Sequence, residues 1–150
     1  MAKLVWSKDL NLGIDVIDKQ HIRIVDYINE LDDACTGNNK REEVGRVIDA
    51  MVGYTISHFT FEESMQEEAG YPFIKAHRKV HELFVSKVAS FQERFDQRED
   101  VAEELHKLLF NWLYTHIKHD DQDYAEAVRN NIRQDDFVDK KKGFFGMLFG

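Results

Sequence analysis

The chain has 150 residues with a formal net charge of −8, one proline and one cysteine. This length allows a single domain with one hydrophobic core, and the acidic balance argues against nucleic acid, which is bound through clustered lysine and arginine. Because Cys35 has no partner for a disulfide, no apolar run approaches the ~18 residues of a membrane span, and residues 1–9 lack a signal-peptide core, we expect a cytoplasmic protein.

Four amphipathic helices are predicted after an irregular N-terminal arm, residues 1–17. Apolar side chains recur at helical spacing in four segments, which short polar or glycine-containing turns separate. The predicted helices cover about 18–36, 41–69 and 72–95, and a fourth begins near Asp100. Because short connections make neighbouring helices antiparallel, the sequence predicts an all-α, up-down-up-down four-helix bundle over 1–137. Residues 138–150 form a separate basic and apolar tail.

Histidine and carboxylate side chains occur at metal-ligand spacing on all four predicted helices. Two pairs, His58 with Glu62 and His77 with His81, are four residues apart, which places each pair on one helical face, about 40° apart. Five imidazoles and two carboxylates suit two transition-metal ions, and bridging carboxylates favour a hard metal such as iron. The candidate metal ligands are His21, His58, Glu62, His77, His81, His116 and Asp121.

The candidate ligands also lie at similar depths along their helices, toward one end of the predicted bundle. A single histidine that faces a core is more often a structural residue than a ligand. That explanation does not account for five histidines and two acids at one level. The two remaining histidines, His106 and His119, are expected to be surface residues.

The spacing between His116 and Asp121 does not fit a regular helix. Five residues correspond to about 140° of rotation, which would point the two side chains to different faces. Both reach one site if the helix widens there to an i→i+5 turn, which is a π-bulge. The sequence therefore predicts a π-helical distortion between His116 and Asp121.

These residues, in this order, resemble the hemerythrin family, in particular the single-domain bacteriohemerythrins. The resemblance rests on residues 13–21, 58–63 with Met65, 70–72 with His77 and His81, and 112–117 with Asp121. It covers roughly residues 5–130 and fills every ligand position of the family. Myohemerythrin, a relative, is a known up-down four-helix bundle, so the resemblance implies the same fold.

The resemblance implies two iron ions with an oxo or hydroxo bridge, and dioxygen as their reversible ligand. The implied ligand sets are His77, His81 and His116 for one iron, His21 and His58 for the other, and Glu62 and Asp121 as bridges. The iron with fewer ligands would keep an open position for dioxygen. The implied apolar oxygen pocket is lined by Phe59, Trp112, Leu113 and Ile117.

The function implied is that of an oxygen carrier, store or scavenger, not of an enzyme. Two alternatives stay open: an oxygen or redox sensor that signals through a partner, and a di-iron enzyme acting on peroxide or nitric oxide. Zinc or another divalent ion is an alternative occupant of the site. We expect a monomer. Residues 140–150 either belong to an inert tail or contact a protein or a membrane surface through three lysines and the aromatic residues after them.

Overall fold

A computed structural model describes residues 3–38 and 40–135, and every regular element in these residues is helical. A short 3-10 turn at Lys8–Leu10 precedes the bundle. The helices are α1 (Asp15–Ala34), α2 (Lys40–Glu68), α3 (Ile74–Asp96) and a fourth that consists of α4 (Ala102–Thr115), a π-helical turn (His116–Asp121) and α5 (Gln122–Asp135). The predicted all-α four-helix bundle is confirmed. The predicted tail, 138–150, lies outside the described residues.

The core forms where each helix turns an apolar face inward. On α1, Ile17, Ile24, Ile28 and Leu31 are at most 4% exposed and follow helical spacing. Each fully buried aliphatic side chain of this kind stabilises the fold by roughly 1.5–3 kcal/mol. The α1 helix packs against α2 and α4, and α2 also packs against α3 and α5.

The N-terminal arm is tied to α1 by side-chain hydrogen bonds. The Asp18 carboxylate accepts the N–H groups of Leu12 at 2.8 Å and Gly13 at 3.2 Å. The prediction that α1 starts at Asp18 is wrong by one turn, because this carboxylate binds the preceding loop instead of capping the helix. Gly13 has φ of 75°, a conformation that favours glycine. Farther out, the Asn29 amide pairs with the N–H and carbonyl of Leu4 at 2.8 and 2.9 Å.

The connection between α2 and α3 is a glycine-terminated turn, as predicted. Gly70 adopts φ of 70°, and the N–H of Tyr71 donates to the Gln66 carbonyl at 2.9 Å. This pattern closes the last turn of a helix. The prediction that Pro72 begins α3 is wrong, because Pro72 belongs to the turn and the helix begins at Ile74.

One of the two histidines predicted to lie at the surface is buried. His106 is only 4% exposed, whereas His119 is exposed as predicted. The inward face of α4 is wide enough to include His106, and it also contains Ala102, Leu105, Leu109 and Leu113. In the described part of the chain, no helix is long and apolar enough to cross a membrane.

Candidate metal centre

The seven predicted ligands meet in one buried cluster between the four helices. Their residues are between 0 and 5% exposed. The ligand atoms form two overlapping groups: Glu62, His77, His81, His116 and Asp121 in the first, and His21, His58 and Glu62 in the second. We call these the three-imidazole side and the two-imidazole side.

Glu62 lies between the two sides and turns one oxygen toward each. Its Oε1 is 2.8 Å from His77 Nε2 and 3.1 Å from His81 Nε2. Its Oε2 is 3.3 Å from His58 Nε2 and 3.6 Å from His21 Nε2. A carboxylate divided in this way has the arrangement of a bridge between two cations.

Asp121, on the fourth helix, divides its two oxygens between the two sides in the same way. Its Oδ1 is 3.0 Å from His116 Nε2 and 3.2 Å from His77 Nε2, whereas its Oδ2 is 3.2 Å from His21 Nε2. Ligand atoms of an octahedral ion are about 3 Å from their neighbours when each lies about 2.1 Å from the metal. The spacing of the nitrogen and oxygen atoms therefore suits small metal ions.

Asp121 reaches the cluster because the fourth helix widens. Residues His116–Asp121 form a π-helical turn, and both end residues are buried. The predicted π-helical distortion is confirmed. A regular α-helix would have rotated Asp121 away from His116, so this local widening supplies the second carboxylate.

The electrostatics of the buried carboxylates favour a cation. Both oxygens of Asp121 are fully buried, and burial of an ionised carboxylate is costly unless positive charge compensates it. Burial alone would raise the pKa of Glu62 and Asp121, but the surrounding imidazoles outweigh it and hold the pKa of both carboxyls well below the usual range. The donor set therefore fits positive metal ions.

The imidazoles show the opposite shift. Burial opposes protonation of His21 and His77, but Asp121 and Glu62 raise the pKa of each to about 9. By contrast, burial lowers the pKa of His58. The carboxylates also raise the pKa of His116 well above its usual value. In a metal-free protein, protons on His21, His77 and His116 balance the acids, and metal binding has to displace those protons.

Three imidazoles are oriented by an acceptor at Nδ1, which leaves Nε2 facing the cluster. The pairs are His58 Nδ1 with Gln20 Oε1 at 2.6 Å, His116 Nδ1 with Asp120 Oδ2 at 2.9 Å, and His81 Nδ1 with Glu63 Oε2 at 3.3 Å. Such acceptors fix the ring and its tautomer and strengthen the nitrogen that binds the metal. The sequence analysis missed all three, although each adjoins a ligand in the chain, which is the signal that could have found them.

Tyr124 is a further polar contact that the sequence analysis missed. It is 0% exposed, and its hydroxyl donates to Glu62 Oε2 at 2.9 Å. Burial and the charge of Glu62 raise the pKa of the Tyr124 phenol well above its usual value, so it stays protonated. Tyr124 therefore holds a proton beside the two-imidazole oxygen of Glu62. The two residues are 62 positions apart, and no sequence pattern connects them.

A small apolar cavity adjoins the two-imidazole side. Its volume is about 10 Å³, room for roughly one water-sized molecule. Three of the four predicted pocket residues, Phe59, Trp112 and Leu113, line it together with His21 and His58. Ile117, the fourth, is fully buried but is not part of the lining. Thr55 also lines the cavity, and the sequence analysis did not identify it as a pocket residue.

Comparison with known proteins agrees with this geometry. The family model described as the hemerythrin HHE cation binding domain matches residues 12–128. The chain belongs to the hemerythrin family. It is 52% identical to the bacteriohemerythrin of Stenotrophomonas maltophilia (strain R551-3) over 134 residues, 89% of this chain and 87% of that protein. The bacteriohemerythrin of Pseudomonas aeruginosa (strain LESB58) is 50% identical over the same shares.

A solved structure of wild-type hemerythrin has the same fold. It superposes with a TM-score of 0.78 at 31% identity and covers 85% of this chain and 98% of its own. Membership of the hemerythrin family implies a di-iron centre, which the buried histidines and carboxylates fit. The chain has bacteriohemerythrin and myohemerythrin relatives, and this similarity identifies it as a hemerythrin-type oxygen-binding protein.

Proposed function

We propose that this protein binds dioxygen reversibly at its di-iron centre and serves as an oxygen carrier, store or scavenger. One observation carries the proposal: Glu62 and Asp121 each turn their two carboxylate oxygens toward different imidazoles. If Glu62 and Asp121 were shared by two ions, the uneven number of imidazoles would leave one ion with an open position, the mark of a working metal site.

The proposed ligands of one iron are His77, His81 and His116, and those of the other are His21 and His58, with Glu62 and Asp121 as shared ligands. The distances between nitrogen and carboxylate oxygen atoms support this division. When bound, the iron pair supplies the two electrons that reversible dioxygen binding requires.

The chain's own residues control access to the open position. The cavity borders His21 and His58, which supports dioxygen binding on the two-imidazole side. Phe59, Trp112 and Leu113 make this space apolar, so water and protons enter it poorly and oxidation of the iron pair is slow. Two of these rings also stabilise the three-imidazole side: Phe59 stacks on His81 at 3.8 Å and Trp112 on His116 at 4.4 Å between centroids.

The size of the cavity supports a diatomic ligand over an organic substrate. A space of about 10 Å³ admits a diatomic molecule but no organic substrate. Steady turnover of peroxide or nitric oxide with a reductant would contradict the proposal that the protein binds oxygen without being an enzyme.

The test is a visible spectrum recorded through cycles of reduction, air and argon, together with the iron content per chain. Two irons and a charge-transfer band that forms in air and fades under argon are expected. The same protein loaded with zinc is the control and should show no band. A band that persists under argon would mean irreversible oxidation and would overturn reversible binding.

We also propose that the protein acts in the cytoplasm as a monomer and that residues 140–150 contact a protein or membrane surface. The support for the contact is the sequence of the tail, three lysines followed by aromatic residues. Deletion of residues 140–150 should change the cellular distribution or the set of bound proteins while oxygen binding persists. An unchanged distribution and unchanged partners would contradict the contact.

A further inference from the structure

A second, larger opening reaches the cluster from its three-imidazole side. This cleft has a volume of about 330 Å³ and is lined by Tyr71, Phe73, His77, Val80, Asp120 and Asp123. His77 is thus the proposed iron ligand whose ring borders an open surface cleft, whereas His21, His58 and His116 border the small oxygen cavity. The two openings therefore border different imidazoles of the same centre.

A chain of aromatic rings connects the mouth of the cleft to the cluster. Phe73 is 66% exposed, and its ring centroid lies 5.9 Å from that of Tyr71. The Tyr71 ring lies 6.1 Å from Tyr124, which in turn lies 5.4 Å from His77. Because the Tyr124 hydroxyl also donates to Glu62, the rings form an uninterrupted packed path from solvent to two proposed iron ligands.

The mouth of the cleft is negatively charged. Asp123 is exposed and Asp120 retains 40% of its side-chain accessibility. Burial, and then the charges of Asp123, Asp120 and Asp121, raise the pKa of the Tyr71 phenol. An acidic rim around an exposed aromatic ring attracts and orients a partner with a basic face.

We propose that this cleft is the docking site of a basic one-electron carrier protein, which reduces the iron pair through His77 and the adjoining rings. The inference rests on the proposed function: a carrier whose irons become diferric is inert until two electrons return. Two donor molecules each lose one electron in succession, and the centre gains two. Encounters of this kind use small, charged interfaces that a cleft of this size and charge can supply.

Cross-linking tests the docking site without relying on oxygen binding. The iron-loaded protein is treated with a carbodiimide in the presence of cytochrome c, a basic one-electron protein, at low ionic strength. We expect mass spectrometry to find Asp123 or Asp120 joined to cytochrome c lysines, and Asp123→Asn to reduce the yield at least about threefold. Asp96→Asn, at an exposed carboxylate near the far end of α3, is the matched control and should change nothing. Equal losses in both variants would overturn the site.

Reduction kinetics test electron delivery. The diferric protein is reduced by cationic hexaammineruthenium(II) and, separately, by anionic dithionite. Asp123→Lys should slow the cationic reductant about fivefold at low salt, with the difference lost at high salt, and should not slow dithionite. Asp96→Lys, with the same change of net charge, should have little effect. If both variants slow the cationic reductant equally, net charge and not this cleft controls the reaction, and the proposal is wrong.

The two tests also separate the partner class and the underlying function. A kinetic response to Asp123→Lys without cross-linking to cytochrome c would contradict a protein partner and indicate a small cationic reductant. If the unaltered protein shows no reversible oxygen band but the cross-link at Asp123 persists, reversible binding fails while the docking site stands. If the band is normal and the cross-link is absent, the docking site alone fails.

Discussion

The two sides of the centre differ in what surrounds their imidazoles. On the three-imidazole side, His116 and His81 contact carboxylates at Nδ1. On the two-imidazole side, His58 contacts the neutral amide of Gln20, and His21 Nδ1 has no hydrogen-bond partner among the described residues. Carboxylate acceptors make an imidazole a stronger electron donor than an amide does. The difference suggests one electron-rich, saturated iron and one electron-poorer iron with room for dioxygen.

The surroundings beyond the ligands follow the same division. The two-imidazole side adjoins a closed apolar cavity, whereas the three-imidazole side adjoins an open acidic cleft. An apolar cavity suits a neutral diatomic ligand and an acidic cleft suits a charged partner. One compact bundle can therefore separate the place where oxygen binds from the place where electrons are delivered.

Removal of the carboxylate of Glu62 should have the largest effect, because the two sides of the centre share this proposed ligand. Glu62→Ala should lower the iron content from two ions per chain to fewer than one, since both sides lose a ligand. Elemental analysis of purified protein measures this. Glu68→Ala removes an exposed carboxylate from the same helix and should keep both irons. Full iron content in the Glu62 variant would remove that residue from the ligand set.

Iron binding should depend steeply on pH, because His21 on one side and His77 and His116 on the other must each lose a proton. The pKa of His21 and His77 is raised from 6.5 to about 9, so both are protonated in the metal-free protein at neutral pH and become free as pH rises through 9. The overall affinity for the two Fe(II) ions should therefore rise by up to about 1,000-fold per pH unit from pH 7 upward, ten-fold for each displaced proton. Competition with a chelator of known affinity measures it. A flat profile from pH 7 upward would contradict these protonation states.

Opening the apolar cavity should affect the proposed oxygen position directly. Leu113→Ala admits water beside the proposed open position and should speed autoxidation by about tenfold, measured as decay of the oxygenated band in air. Leu105→Ala, a truncation of the same size at a buried position of the same helix but outside the cavity, controls for the loss of packing, which costs about 2–4 kcal/mol at buried sites. Equal autoxidation in the two variants would discard the gating role of Leu113.

A smaller effect should follow from making the two sides electronically alike. Gln20→Glu places a carboxylate at His58 Nδ1, as Asp120 and Glu63 do on the other side. The stronger imidazole donor should slow oxygen release by about threefold, measured by stopped-flow mixing with an oxygen scavenger. Gln122→Glu, at an exposed position, is the charge control. An unchanged release rate would show that the neutral acceptor does not tune the site.

The ligand positions and the π-helical turn could be predicted because both depend on local spacing. Four-residue intervals identify His58 with Glu62 and His77 with His81, and the five-residue interval to Asp121 requires a wider turn. These features need only helical geometry, which the sequence determines locally.

Features that depend on packing between helices were not predicted. Tyr124 meets Glu62 across the bundle, and Gln20 meets His58 from another helix. The burial of His106 depends on how far α4 rotates against its neighbours, which periodicity alone does not determine. The acidic cleft combines the α2–α3 turn with the start of α5, so it becomes visible only in three dimensions.

A crystal structure of the iron-loaded protein grown in air tests the asymmetry most directly. The account predicts two iron ions bridged by Glu62 and Asp121, with an exogenous ligand only on the ion held by His21 and His58, pointing toward Phe59 and Leu113. A single ion, or an exogenous ligand on the ion held by His77, His81 and His116, would contradict it.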